Sequence, residues 1–125
     1  MKYLFDVNVM LAWYHTGQFH NRLHLWRSKH LADSLHSCAI TDLGFIRVSM
    51  IKYNHSRQTA ESALAYVKRD VAGFIDTLPP PQLAAWVSKH SETTDSYLCQ
   101  LATANSMRLA TFDTAIKDAA AFHIP

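Results

Sequence analysis

Four aspartates stand where the apolar pattern of the sequence changes, and their positions suggest a metal site. Asp6 ends an apolar run, Asp42 and Asp95 stand near the starts of helical patterns, and Asp113 follows a late apolar run. Burying an unpaired carboxylate costs on the order of several kcal/mol or shifts its pKa, and few basic residues adjoin these four in sequence. A divalent cation would offset their charge. Oxygen ligands without His or Cys favour Mg²⁺ or Mn²⁺, and the expected chemistry is metal-assisted phosphoryl transfer.

The elements that must position these aspartates alternate between strands and helices. Strands that are apolar throughout and separated by helices favour a parallel sheet covered on both faces. We therefore predict one α/β domain over residues 1–125, a three-layer α/β/α fold with a mainly parallel central sheet. Strands are predicted at 3–7, 36–40, 73–78, 108–112 and 122–124, and helices at 9–14, 21–33, 42–52, 60–71, 82–88, 95–105 and 114–121, with Thr41 and Thr94 as N-caps.

This arrangement would bring the four aspartates to one edge of the sheet. In a parallel sheet, strands end and the following helices begin at the same carboxyl edge, where open α/β folds bind their ligands. Helical periodicity places Asp95 on the buried stripe that continues through Leu98 and Ala102. The same spacing directs Asp42 inward, toward Phe45.

The composition fits one globular domain and excludes several classes. The chain has 125 residues, 49% of them hydrophobic, and a formal net charge of +2. Three glycines are too few for a Walker loop or a dinucleotide fingerprint, and Asn8 stands where aspartate-nucleophile phosphatases need a second, proton-transferring aspartate. No apolar run approaches the length of a membrane span. We interpret Cys38 and Cys99 as core residues of a cytoplasmic protein, and the apolar N-terminus as part of the mature fold.

The segments around the aspartates resemble the motifs of a known family. Asp6-Val-Asn-Val, Thr41-Asp-Leu-Gly-Phe-Ile-Arg, Thr94-Asp-Ser-Tyr-Leu and Leu109-Ala-Thr-Phe-Asp are similar, in order and spacing, to the motif blocks of PIN-domain ribonucleases, in particular the VapC toxins of bacterial toxin–antitoxin pairs. The resemblance covers essentially the whole chain. It implies a PIN-like fold and a Mg²⁺- or Mn²⁺-dependent endoribonuclease.

The resemblance also implies residue roles and partners. Asp6, Asp95 and Asp113 match the family's metal-site aspartates. Asp42 stands where the wider family usually has Glu, so its shorter side chain leaves open whether Asp42 binds the metal directly or through water. The implied partners are an RNA substrate, a cognate antitoxin protein and a second copy of the chain in a homodimer.

Asn8 and Thr111 match supporting polar positions of the family, but ordinary structural roles compete with several assignments. Asn8 fits equally well as a residue that bonds the backbone of the turn after the first strand. A carboxylate in a helix's first turn stabilises the helix by about 0.3–1 kcal/mol, which could be the whole role of Asp42 and Asp95. Asp113 could cap a following helix. Arg47 could reach a substrate phosphate only from the pocket's edge, and a solvated or packing role fits it better.

The charge balance is compatible with an RNA partner. Without the four aspartates, six acidic residues remain against twelve Lys and Arg, so basic surface should surround an acidic pocket and hold an RNA backbone. The competing function is a catalytically silent PIN-like module that binds RNA or protein without cutting. The presence of all four acids argues against it.

Overall fold

The centre of the fold is a five-stranded sheet. The structure, a computed structural model, describes all residues from 1 to 125. Every pair of neighbouring strands is parallel, which confirms the predicted α/β class. The strands are β1 (Lys2–Phe5), β2 (Ser34–Cys38), β3 (Gly73–Ile75), β4 (Arg108–Thr111) and β5 (Ala121–His123), and their order across the sheet is β3-β2-β1-β4-β5.

Five α-helices cover the two faces of the sheet and complete the three layers. Phe5 packs with Trp13 in a core between the sheet and the first four helices. On the opposite face, Leu4 packs with Leu98 in a core against the fifth. No helix is both long and apolar enough to cross a membrane. The helices are α1 (Val7–Tyr14), α2 (His20–Ser28), α3 (Ala39–Lys52), α4 (Arg57–Val67) and α5 (Thr93–Ala104), the last preceded by a 3₁₀ turn at His90–Glu92.

The strand order reverses between β1 and β4. Strands β2 and β3 continue the sheet on one side of this pair, and β5 continues it on the other. Chain segments that leave β1 and β4 therefore diverge and open a crevice at the carboxyl ends of the two strands. Asp6 directly follows β1, and Asp113 follows β4. Because α5 runs back to feed β4, its first turn, with Asp95, begins at this same edge.

A close approach of α1 and α3 fixes the start of α1 beside this crevice. Gly44 of α3 faces Val7, the first residue of α1. A Cβ atom at Gly44 would lie only 2.5 Å from Cγ2 of Val7, which is closer than non-bonded carbon atoms approach one another. Because Gly44 has no side chain, Val7 can pack directly against α3. Val7 follows Asp6, so this contact helps to fix the turn that carries Asp6.

Two predicted helices are wrong. Residues 82–88 form no helix, and side chains of α5 bind the start of this segment: Gln100 Oε1 accepts from the Gln82 amide and Ser96 Oγ from the Ala84 amide, both at 2.8 Å. Residues 114–121 contain only turns before β5. The short connection from β4 to the parallel β5 leaves no room for a helix and its two linkers.

Other differences concern helix ends. The helix predicted at 21–33 ends at Ser28, and Arg27 Nη1 donates to the carbonyls of His30 and Asp33 to hold the turn beyond it. Thr41 is not the N-cap of α3 but its third residue, and its Oγ1 accepts from the Cys38 amide at 3.0 Å. The predicted cap at Thr94 is wrong as well, because α5 begins at Thr93.

Candidate functional site

Asp6 occupies the turn between β1 and α1 and is the most buried aspartate of the four, with 6% of its surface exposed. Its Oδ1 accepts from the Val7 amide at 2.8 Å, as a helix N-cap does. Its own amide donates to the Ala110 carbonyl at 3.0 Å, which continues the β1–β4 pairing. Burial raises the pKa of Asp6 and the charge of Asp113 adds to this, while hydrogen bonds from Thr111 and Val7 oppose it.

A hydrogen-bond network joins Asp6 to β4. The buried Thr111 donates through Oγ1 to Asp6 Oδ2 at 2.8 Å. Asn8 Nδ2 lies 3.3 Å from Thr111 Oγ1 and 3.5 Å from Asp6 Oδ2, and Asn8 Oδ1 accepts from the Phe112 amide at 3.2 Å. The two supporting residues named by the resemblance therefore contact Asp6, and they restrict the orientation of its carboxylate.

Asp113 lies on the loop after β4 and belongs to the same network. Its amide donates to Thr111 Oγ1 at 3.0 Å, so the one hydroxyl connects Asp6 with Asp113. Its Oδ1 accepts from the Ala115 amide at 2.9 Å. The capping role considered for Asp113 is therefore present, although Asp113 caps a turn and not a helix.

Asp95, in the first turn of α5, is half-buried, and unlike Asp6 and Asp113 its carboxylate accepts no hydrogen bond. It takes part in none of the salt bridges of the chain. Burial is the largest cause that raises the pKa of Asp95, followed by the charges of Asp6, Asp113 and Glu92, and together they raise it to about 6. The charges of Asp6 and Asp113 therefore reach Asp95 at the carboxyl edge of the sheet.

A cavity of about 220 Å³ opens beside Asp95 and Asp113, and two further charged residues line it. These are Glu92 and Lys89, which the sequence reasoning missed. Glu92 Oε1 accepts from the amides of Ser88 and Lys89 at 3.0 and 3.2 Å and so stabilises the turn before α5. A signal for Glu92 was available, because a residue three positions before Asp95 lies on the same side of a helical turn.

Asp42, in the first turn of α3, has different surroundings. Its Oδ2 accepts from Lys68 Nζ at 2.6 Å, and this Nζ also lies 4.4 Å from the centre of the Phe74 ring. The expectation that the aspartates lack ionic partners is therefore wrong for Asp42. Its partner, the C-cap of α4, lies 26 residues away in sequence, which adjacency could not reveal. Asp42 Oδ1 is buried without a hydrogen-bond partner.

Arg47, His20 and His24 lie outside this cluster. Arg47 is exposed on α3. His20 Nδ1 bonds to the Ala12 carbonyl at 2.8 Å, and His24 Nε2 to the Trp13 carbonyl at 3.1 Å. Because a carbonyl only accepts hydrogen bonds, these two nitrogens carry protons and are not metal ligands.

The structure thus brings Asp6, Asp95 and Asp113 to one crevice, with Asn8 and Thr111 as supports, and pairs Asp42 with a lysine. As the side chains stand, no three His, Cys, Asp or Glu residues are arranged to hold a metal ion among themselves. No protein-family model matches the chain, and no curated protein matches it significantly.

Proposed function

We propose that the protein is a metal-dependent endoribonuclease of the PIN-domain type, the toxin of a type II toxin–antitoxin pair. Asp95 carries the proposal, because it is a half-buried carboxylate without a cation, placed where Asp6, Asp113 and Glu92 repel it. Carboxylates with such perturbed pKa values in a crevice are typical of functional sites. Their repulsion destabilises the folded chain unless a cation joins them.

The chemistry of the donor set fits Mg²⁺ or Mn²⁺. Asp6, Asp95 and Asp113 offer only oxygen atoms, which hard divalent cations prefer. Mg²⁺ commonly takes one or two carboxylates and leaves its other positions to water and phosphate, so a closed protein cage is not required. When bound, such an ion supplies Lewis-acid polarisation of a phosphodiester and lowers the pKa of water.

The protein's own residues keep the carboxylates in place for this chemistry. Thr111 Oγ1 bonds both the Asp6 carboxylate and the Asp113 amide, so the ends of β1 and β4 cannot separate without breaking these bonds. Asn8 adds a second connection through the Phe112 amide. Asp42 has one oxygen engaged by Lys68 and one without a partner, so we assign it a supporting place rather than a direct one.

RNA is the proposed substrate. The chain has twelve Lys and Arg, and only two of them, Arg57 and Lys68, form salt bridges. Beside the acidic crevice, Lys52 and Lys89 form no salt bridge and can hold a phosphate backbone, whose contacts dominate affinity for nucleic acids. A bound divalent cation would reduce the negative charge of the acidic crevice and let a phosphodiester enter it.

The proposed protein partners are a cognate antitoxin and a second copy of the chain, in the cytoplasm. Helix α3 leaves Leu43 66% exposed and Ile51 74% exposed. Apolar side chains clustered on one exposed surface often mark protein contacts. This helix is therefore a surface that a partner would cover.

The decisive experiment is an RNA cleavage assay with Mg²⁺ or Mn²⁺ and with EDTA. The purified chain should cut RNA only in the presence of the metal, and the products should carry 5′-phosphate and 3′-hydroxyl ends. Asp6→Asn should abolish cleavage and keep the circular dichroism spectrum of the folded chain. Asp70→Asn, at an exposed aspartate between α4 and β3, is the matched control and should cut normally.

Two results would overturn the mechanism. Cleavage that persists in EDTA, or products with 2′,3′-cyclic phosphate ends, would exclude hydrolysis at a metal site. If the wild-type chain binds RNA without cutting it under any metal condition, it is a silent binding module instead.

A further inference from the structure

A second cleft adjoins the acidic crevice, and apart from Asn8 its lining has no part in the proposed chemistry. It lies between the connection from α1 to α2 and the C-terminal end of α3, and we refer to it as the α1–α3 cleft. Its volume is about 400 Å³, within the range of roughly 300–1,000 Å³ common for ligand sites. Asn8 forms one wall, and its Nδ2 lies 3.5 Å from Asp6 Oδ2. A ligand in the cleft would therefore adjoin the proposed point of cleavage.

The polar lining of the α1–α3 cleft favours an anion. It includes Lys52, His20 and Gln18, and no carboxylate. His15 also lines the cleft but adds no charge, because burial lowers its pKa to about 4 and its Nε2 bonds to Ser49 Oγ. Lys52 forms none of the chain's salt bridges, so its charge is available to a ligand. The cavity beside Asp95 has a more acidic lining, with three acids against the one lysine, Lys89.

His20 presents a defined nitrogen to a ligand. Its Nδ1 donates to the Ala12 carbonyl at 2.8 Å, which places a proton on Nδ1. Its Nε2 then accepts a hydrogen bond when the ring is neutral and donates one when the ring is protonated. Such a nitrogen can bond either a hydroxyl or a phosphate oxygen.

The lining of the cleft also includes two aromatic side chains, one from each side. Phe19 and Tyr53 both line it, and each is held by a stacked neighbour. Phe19 stacks on Phe112 with ring centres 4.5 Å apart, and Tyr53 stacks on His15 at 3.6 Å. Single-stranded RNA is commonly recognised by unstacked bases packed against aromatic side chains, with cations at the phosphates.

We propose that the α1–α3 cleft binds the nucleotide next to the phosphodiester bond that is cut. The base packs against Phe19 and Tyr53, and the phosphate meets Lys52 and His20. This inference rests on the proposed function, since it names the part of the RNA that the site reads. It assigns sequence preference to residues outside the acidic crevice.

Gly17 offers a way to fill the cleft without disturbing the fold. It lines the cleft, a Cβ atom there would meet nothing within 4 Å, and its φ is not positive. Gly17→Trp should therefore block the cleft, and Lys52→Ala should remove its free cation. The matched control is Lys29→Ala, at an exposed lysine after α2 that does not line the cleft. Melting curves followed by circular dichroism check that all three variants fold.

The first measurement is the kinetics of cleavage of a single-stranded RNA oligonucleotide. Gly17→Trp and Lys52→Ala should each raise KM about tenfold and change kcat less than about twofold, because binding and not chemistry is altered. Gly17→Trp should also change the preferred nucleotide beside the cut. Lys29→Ala should leave all three quantities unchanged. An unchanged KM and preference in Gly17→Trp would overturn the cleft proposal and leave the nuclease proposal standing.

The second measurement does not depend on cleavage. The four nucleoside 5′-monophosphates are titrated into the chain in EDTA, and the backbone amide signals of Gly17 and Gln18 are followed by NMR. Saturable changes in the chemical shifts of these amides support the cleft proposal, if the change at Gln18 is lost in Gly17→Trp. If they occur while the wild-type chain cuts no RNA, the nuclease proposal fails and the cleft remains a nucleotide site. Absence of shifts with all four nucleotides overturns the cleft proposal.

Discussion

Helices α3 and α5 each carry an aspartate in the first turn, and the two carboxylates meet opposite surroundings. Asp42 is paired with Lys68 at 2.6 Å. Asp95 meets only like charges, which with burial raise its pKa to about 6. A first-turn carboxylate benefits from the helix dipole in both places. The dipole therefore cannot explain the difference, which lies in what the rest of the fold brings to each turn.

The position of each helix in the sheet accounts for the contrast. Helix α3 follows β2, and the end of α4 and strand β3 supply Lys68 and Phe74 to Asp42. Helix α5 begins where β1 and β4 end, and these strands supply Asp6 and Asp113. A carboxylate with a structural role, such as Asp42, is paired with a cation of the same chain. A carboxylate that binds a metal ion is left without such a partner, as Asp95 is in our proposal.

The largest effect expected from this contrast is on the rate of the proposed RNA cleavage. Asp95→Asn should lower the metal-dependent rate more than about 100-fold, since loss of a direct ligand exceeds the 10–100-fold typical of an outer partner. Asp42→Asn should lower it by no more than about 10–100-fold, the range of an outer partner, because its paired carboxylate acts at a distance. Rates are measured at saturating Mg²⁺ with both variants at equal folded fractions. Equal losses in the two variants would mean that Asp42 also binds the metal, and the comparison would fail.

A smaller effect is expected on stability when Lys68 is changed to Met. The carboxylate of Asp42 would then be left without its cation, at a free-energy cost of about 1–2 kcal/mol, below the 3–5 kcal/mol of a fully buried pair because the side chains are 29% and 15% exposed. The matched control is Arg57→Met, which breaks an exposed pair with Glu61 and should cost less than about 0.5 kcal/mol. Urea unfolding measures both.

The double variant Lys68→Met with Asp42→Asn separates the pair from other effects of Lys68. It should be more stable than Lys68→Met alone, because no unpaired charge remains. If Lys68→Met costs no more than Arg57→Met, the Asp42–Lys68 pair does not form in solution.

The sequence predicts the sheet and the position of the acids because both follow from local pattern. Apolar runs separated by helices identify all five strands to within a few residues. Asp6 and Asp113 directly follow two of these strands, and topology alone then places them at one edge. Asn8 and Thr111 were named through the resemblance, and both contact Asp6.

What the sequence could not predict depends on contacts between distant segments. The pairing of Asp42 with Lys68 spans 26 positions, and no local spacing announces it. The segment 82–88, expected as a helix, is instead bonded to α5 through its Gln82 and Ala84 amides, whose partners lie 18 and 12 positions away in sequence. Tertiary context of this kind can override helical propensity, and no local pattern reveals it.

The smallest expected effect is a change in the stability of the metal-free protein. The pKa of Asp95 is about 6 in the folded chain against an ordinary 3.8, so the folded state binds more protons between these pH values and its stability falls as pH rises through this window. Asp95→Asn should abolish that fall and be more stable than the wild type by about 1 kcal/mol at pH 7, after allowance for solvent screening. His15, whose pKa burial lowers to about 4 from 6.5, gives an opposite slope in the same window. Because His15 is present in both proteins, the difference between their urea-unfolding curves isolates Asp95. Asp42→Asn should instead be less stable than the wild type. A change in the free energy of unfolding with the same sign in Asp42→Asn and Asp95→Asn would contradict the contrast between the two helices.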